Sequence, residues 1–216
     1  RLDQAEASYR QAIALKPDFI EAHSNLGVTL QELGRLNEAE SSYNQAITLK
    51  PDFAEAHNNL GNTLQELGRL DQAEASYRQA IALKPDFIEA HSNLGVALQE
   101  LGRLDEALAS EKQAIALNPD FAESHFNLGN ILKELGRLDK SEASFRQAIV
   151  LKDDYAEAHL ALSSMKKFNA QDEQYAKMQE LYLDKNISEE QRCHINFGLA
   201  KASEDLGDYE QAYTYY

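Results

Sequence analysis

Five of the six histidines, His23, His57, His91, His125 and His159, recur 34 residues apart, and a regular series of imidazoles invites a metal reading. The spacing refuses it. Residues one period apart on neighbouring helices are separated by roughly the 8–10 Å between packed helix axes, whereas zinc holds nitrogen at about 2.0–2.1 Å. The histidines therefore read as packing residues, and no metal site is expected. Cys193 adjoins His194, but consecutive helical side chains point apart and no acid stands at a catalytic spacing, so it reads as an inert thiol. Glu111 stands where other copies carry Tyr43, Tyr77 and Phe145, while Leu108 replaces Glu40, Glu74 and Glu142. A buried, unpaired carboxylate is costly, so the expectation is a local tilt that exposes Glu111 beside Lys112. No paired-carboxylate, nucleophile-elbow or phosphate-cradling G-x4-G-K-[ST] motif occurs, so no catalytic residues and no cofactor are expected.

The remaining chemistry is amide chemistry. Asn25, Asn59, Asn93 and Asn127 each precede Leu in an N-L-G run, Asn62 and Asn130 follow two of these runs, and Gln31, Gln65 and Gln99 lie six residues beyond the first three asparagines. Asparagine is a poor helix former, so surface propensity does not account for the series, although recent duplication would copy it unchanged.

The elements that carry these residues follow from the same period. Residues 1–30 recur at 69–98 with one change, Thr29 against Ala97, and copies at half that offset set the repeat at 34 residues. Small and apolar residues at Ala22, Leu26, Gly27, Leu30 and Leu33, then at Ala39, Tyr43, Ala46, Ile47 and Leu49, predict two helices per period. Gly34 suits a left-handed stop after the first helix, and Pro51 prevents the second from continuing. Asn37 and its Asp equivalents are expected to cap second helices, and the Asp52–Glu55, Asp71–Glu74 and Ser188–Gln191 spacings are those of capping boxes. Gly27 and Ala39 allow the paired helices to approach, and Leu26, Leu30 and Tyr43 fill the space between neighbours. Stacked pairs then form a curved solenoid with a concave face.

His23, Leu26, Gly27, Leu30, Gly34, Ala39, Tyr43, Ala46 and Pro51, recurring through Pro85, resemble the tetratricopeptide repeat signature W-x2-L-G-x2-Y, A-x3-F, P, with His for Trp and Leu for the first Tyr. The resemblance implies an all-α, right-handed superhelical solenoid of antiparallel helix pairs. It divides the chain into a partial repeat over 1–19, four full repeats over 20–155, a degenerate helix pair over 156–192 and a truncated further repeat over 193–216. The segment HINFGLAKASEDLGDYEQAYTYY, His194–Tyr216, resembles the stretch before the catalytic domain in bacterial tetratricopeptide sulfotransferases. That implies a parent enzyme binding 3′-phosphoadenosine 5′-phosphosulfate beyond residue 216, with this chain as its substrate-recruiting arm. The N-L-G-N runs at Asn59–Asn62 and Asn127–Asn130 resemble the repeats of O-linked N-acetylglucosamine transferases, which implies an asparagine ladder that contacts peptides.

With first helices lining the concave face, the ladder carboxamides would donate to and accept from an extended peptide backbone. Val28 and Val96 replace the second Asn in two copies, so wet and apolar stations should alternate. Glu21, Glu55, Glu89 and Glu123 flank one margin and Glu32, Glu66, Glu100 and Glu134 the other. With a formal net charge of −15, the partner expected is a peptide or protein segment, basic rather than acidic, and neither nucleic acid nor an anionic membrane. One cysteine, no amino-terminal leader and no apolar run of about 18 residues point to the cytoplasm. The chain enters mid-repeat at Arg1 and stops within a helix at Tyr216, so it reads as a fragment whose apolar ends can self-associate into a scaffold.

Overall fold

The computed structural model describes residues 1–216, with thirteen helices and no strand. Two compact units divide it. The first, Arg1–Leu117, holds α1 (Leu2–Leu15), α2 (Ile20–Glu32), α3 (Leu36–Leu49), α4 (Ala54–Glu66), α5 (Leu70–Leu83), α6 (Ile88–Glu100) and α7 (Leu104–Leu117). The second, Asn118–Tyr216, holds α8 (Ala122–Glu134), α9 (Leu138–Leu151), α10 (Ala156–Ser163), α11 (Glu173–Leu183), α12 (Glu189–Leu206) and α13 (Tyr209–Tyr215).

In the first unit each first-type helix packs on its own partner and on the helix before it, α4 for example on α5 and α3. The turns follow from the glycines. Gly34 has φ 71°, and the Gly34 and Arg35 amides donate to the carbonyls of Gln31 and Leu30, each at 2.8 Å. This is a Schellman closure, and it recurs at Gly68 and Gly102. The expected side-chain caps do not form. The closure is so tight that α3 starts at Leu36 behind Arg35, which places Asn37 inside the helix, and α5 takes in Asp71 in the same way. Asp52 is likewise passed over, because the cap of α4 is Phe53, whose ring lies 5.1 Å beneath the Lys50 ammonium.

The helix pairs lock through a ring laid on a glycine. A Cβ on Gly27 would stand 2.6 Å from the Tyr43 ring and one on Gly61 2.5 Å from the Tyr77 ring. Both rings are fully buried. A buried ring removes roughly 150–250 Å² from water, an upper estimate of about 4–6 kcal/mol each. Ion-pair quartets cross-link successive second-type helices outside this core. Arg35 grips Glu38 through two nitrogens at 2.7 Å and reaches Glu6 of the preceding copy at 2.7 Å, while Arg10 joins both carboxylates. Arg103, Glu106, Glu74 and Arg78 repeat the arrangement. Arg10 and Arg35 hold the Glu6 carboxyl below its ordinary range, and Arg35 does the same for Glu38.

Glu111 corrects an expectation. It is fully buried, with its carboxylate against Gly95 where the other copies place a ring, and the Ser92 hydroxyl lies 3.2 Å from each carboxylate oxygen. Leu108 is buried as well, so α7 does not tilt outward. The vacant ring position is filled by the carboxyl because a glycine-backed notch fits the acid side chain and Ser92 supplies a hydroxyl donor.

The second unit opens with the regular pair α8 and α9, where Phe145 lies on Gly129. It then departs from the repeat. α10 has only eight residues and packs on α9 and α12, while α11 packs on α12. Asp172 caps α11, and Ser188 with Gln191 forms the capping box that starts α12, as its spacing predicted. Met178, Leu181, Ile195, Leu199 and Tyr215 make the core here.

Candidate functional site: an amide and carboxylate face

The first-type helices α2, α4 and α6 are consecutive neighbours within the first unit, and they carry Asn25, Asn59 and Asn93 one to a helix. Asn25 is exposed, and Asn59 and Asn93 are half-buried. Asn127 and Asn130 sit on α8 of the second unit, both half-buried. Rather than standing as separate rungs, the amides link. The Asn93 carboxamide donates to Asn58 at 3.0 Å, and Asn58 contacts Asn59 at 3.4 Å. Asn58 was not among the sequence candidates. Its one signal was that it is the amide at a position that reads Ser24, Ser92 and Phe126 in the other copies.

The glutamines are partly committed to structure. Gln31 donates to the Glu66 carboxylate at 2.5 Å and lies 3.2 Å from the Thr63 hydroxyl, whereas Gln65 donates to Glu100 at 2.5 Å. Each therefore ties one copy to the next as well as facing solvent in part. The Tyr77 hydroxyl meets Asn62 at 2.8 Å and Gln65 at 2.9 Å. Both contacts reach carboxamide oxygens, and the single phenol proton serves one of them at a time. Tyr77 thus places its ring in the core and its oxygen beneath the face, and the fixed spacing from Asn62 is what makes the contact.

A cavity of about 350 Å³ opens among Asn62, Gln65, Glu66 and Glu100. The potential there is negative. Burial first, and then Glu100 and Glu66, push the Tyr77 phenol well above its ordinary value; burial, Glu66 and Glu32 do the same to Tyr43. Ionised carboxylates offer about four acceptor positions each, so one glutamine bond leaves Glu66 and Glu100 able to accept more.

The periodic histidines are buried at His23, His91 and His159 and half-buried at His57 and His125, and each makes a hydrogen bond to the backbone. His23, His57, His91, His125 and His159 place Nε2 between 2.9 and 3.1 Å from the carbonyl six residues earlier, that of Pro17, Pro51, Pro85, Pro119 and Asp153. Each imidazole staples its helix to the turn before it, and no group of three or more His, Cys, Asp or Glu side chains could hold a metal. Cys193 is exposed on α12.

Family models described as TPR repeat match residues 1–34, 30–68, 62–102 and 98–136, and one described as Tetratricopeptide repeat matches 122–155. The chain belongs to the tetratricopeptide repeat family. Its fold class is accordingly the all-α solenoid of antiparallel helix pairs. Among solved structures, this tetratricopeptide repeat chain is similar to PilW, a widely conserved type IV pilus biogenesis factor, at 27% identity and TM-score 0.74, covering 88% of this chain and 89% of that one. It shares its fold with pilF of Pseudomonas aeruginosa at 18% identity and TM-score 0.70, covering 99% and 90%. It also shares it with YrrB, described as a TPR protein with an unusual peptide-binding site, at 20% identity and TM-score 0.62, covering 95% and 96%. A search of curated proteins found no match. These matches are to repeats and carry no sulfotransferase or glycosyltransferase assignment. No helix is long and apolar enough to cross a membrane.

Proposed function

We propose that the first unit is a non-catalytic binding scaffold whose α2, α4 and α6 face holds an extended peptide segment of a partner protein. The observation that carries this is the cavity among Asn62, Gln65, Glu66 and Glu100, where carboxamides that read a peptide backbone adjoin carboxylates with unused acceptor positions. Asn25, Asn59 and Asn93 extend the amide row across three helices, and Glu66 and Glu100 favour lysine or arginine in the guest. The same reading places the repeats of the second unit, with Asn127 and Asn130, in the same kind of role. The structure of YrrB, a protein of this fold described as having a peptide-binding site, agrees with such a use. The lone free cysteine fits a reducing cytoplasm.

The test is selection of a displayed random-peptide library on the full chain at low salt. Enrichment of lysine and arginine is expected. A double variant, Asn59→Ala with Asn93→Ala, should weaken the selected peptides about tenfold, since two hydrogen bonds are worth roughly 0.5–1.5 kcal/mol each. Peptides that bind the variant as well as the parent, or selection of acidic sequences, would overturn the reading. Exposed Phe197, Tyr213 and Tyr216 on α12 and at the end of α13 favour a second use, self-association, for which sedimentation velocity across a hundredfold concentration range is decisive: a constant monomer rejects it.

A further inference from the structure

The second unit contains a cavity of about 600 Å³ between α9, α10 and α11, within the range of small-ligand pockets. Related hollows beside His91 and His23 in the first unit are smaller, about 450 and 370 Å³. This one is larger where the chain leaves its repeat: α10 stops at Ser163, and the chain from Ser164 to Asp172 loops out before α11 closes the space.

Two buried polar atoms there have no partner, His159 Nδ1 and Gln174 Oε1. Both residues line the cavity, at 0% and 8% exposure. Their polarity is set by what their other atoms do. His159 Nε2 donates to the Asp153 carbonyl at 3.0 Å, which leaves Nδ1 a bare lone pair, and burial holds the imidazole below its ordinary pKa and so neutral. The Gln174 amide nitrogen donates to the His159 carbonyl at 2.8 Å and to the Ser163 hydroxyl at 3.3 Å, which leaves its oxygen accepting nothing. Both vacancies therefore call for a donor, and leaving such a group unmet is costly in a dry interior.

The walls narrow the chemistry further. The lining cations are already paired: Lys166 with Asp172 at 2.6 Å, Lys177 with Asp153 at 2.8 Å and Arg146 with Glu142 at 2.6 Å. An anionic ligand would have to displace a carboxylate, whereas a neutral one would not. Ile149, Val150 and Leu162 supply aliphatic surface. Val150 is 75% exposed and is the bulkiest apolar residue at a position that reads Ala14, Thr48, Ala82 and Ala116 elsewhere. A sugar would bring hydroxyls but nothing for Val150. We propose that this cavity binds an uncharged peptide unit, its backbone N–H donating to Gln174 Oε1 or His159 Nδ1 and its branched aliphatic side chain resting on Ile149, Val150 and Leu162.

The test is methyl and amide NMR of the full chain titrated with N-acetyl-leucinamide and with acetyl-Ala-Leu-Ala-amide. The control probe is N-acetyl-N-methyl-leucine dimethylamide, which has the same side chain and no N–H. Shifts confined to the Val150 and Leu162 methyls and the Gln174 carboxamide are expected, with the methylated probe at least tenfold weaker. Tighter binding of the tripeptide identifies a peptide segment as the ligand, and equal binding identifies a free amino-acid derivative. Val150→Lys, at a position that is 75% exposed, should weaken both amide probes at least fivefold, while Leu15→Lys, at a comparably exposed position on α1, should leave them unchanged. Equal affinity for the methylated probe, shifts elsewhere only, or no shifts because ordered water alone fills the space would each overturn the proposal.

Discussion

The glycine-on-ring contact allows one substitution to be made in two neighbouring copies that differ in what faces it. In Gly61→Ala the new methyl would lie 2.5, 2.6 and 2.9 Å from three carbons of the Tyr77 ring, against about 3.5–4.0 Å for a relaxed carbon contact. The ring would have to retreat by about 1 Å, yet it is fully buried and its hydroxyl is held at Asn62 and Gln65. Overpacking of this kind costs about 1–3 kcal/mol, and a locked ring belongs at the upper end. Alanine returns about 1 kcal/mol of helix propensity, so the net loss is about 2 kcal/mol. In Gly95→Ala the new methyl would lie 2.6, 2.9 and 3.0 Å from the Glu111 Oε1, Cγ and Cδ, atoms of an unbranched side chain and not of a ring. That side chain can turn where a ring cannot, at about the cost of one weakened hydrogen bond, roughly 1 kcal/mol, which the helix propensity offsets. The expected difference between the two variants is therefore about 2 kcal/mol. Stacked repeats can unfold in stages, so native-state hydrogen exchange of the α4 and α6 amides is the measurement, with urea midpoints alongside. A Gly95→Ala protein destabilised as much as Gly61→Ala would refute the claim that the ring, and not the closeness of the backbones, makes glycine necessary.

Glu111→Tyr should restore the ring of the neighbouring copies and raise the stability of the first unit by about 2 kcal/mol, the apolar gain less about 1–3 kcal/mol for the hydrogen bonding that the carboxylate gives up; a lower urea midpoint would contradict this. Because the folded chain holds His159 below its ordinary pKa, chiefly through burial, the unfolded chain takes up the proton first. The second unit should thus keep its stability above about pH 6.5 and lose it as the pH falls from there through the folded value. His159→Gln should lack that limb between pH 7 and 5, which thermal melts of parent and variant will show. Peptides selected on the α2, α4 and α6 face should bind at least threefold more weakly at 0.5 M than at 0.05 M salt, since Glu66 and Glu100 are screened; salt-independent binding would remove the carboxylates from the account.

The period of 34 residues made most of the fold legible because each copy repeats the local instructions: a glycine at the turn, a proline after the second helix, and small residues where helices meet. The Ser188–Gln191 box could be read in the same way, since both partners lie within one turn. The caps expected at Asn37, Asp52 and Asp71 could not, because the Schellman closure and the Phe53 contact set the helix starts. The amide row was visible as a series, but its internal bonds through Asn58, and the bonds from Gln31 and Gln65 to the next copy, depend on distances between helices. The burial of Glu111 is not legible in the sequence because the notch over Gly95 and the Ser92 donor exist only once α6 lies on α7.

α1 and α5 set the division most sharply. Both read LDQAEASYRQAIAL, and both are helices over the same fourteen residues. α5 buries Ala73, Tyr77 and Ala80 under α4, whereas α1 buries none of its residues. Helix formation was decided by the sequence, because propensity and periodicity act within a few residues of chain. Which side chain becomes core, which carboxylate finds a donor and which acceptor is left waiting were decided by the neighbouring helix, because burial and hydrogen bonding belong to pairs of surfaces that only the tertiary structure brings together.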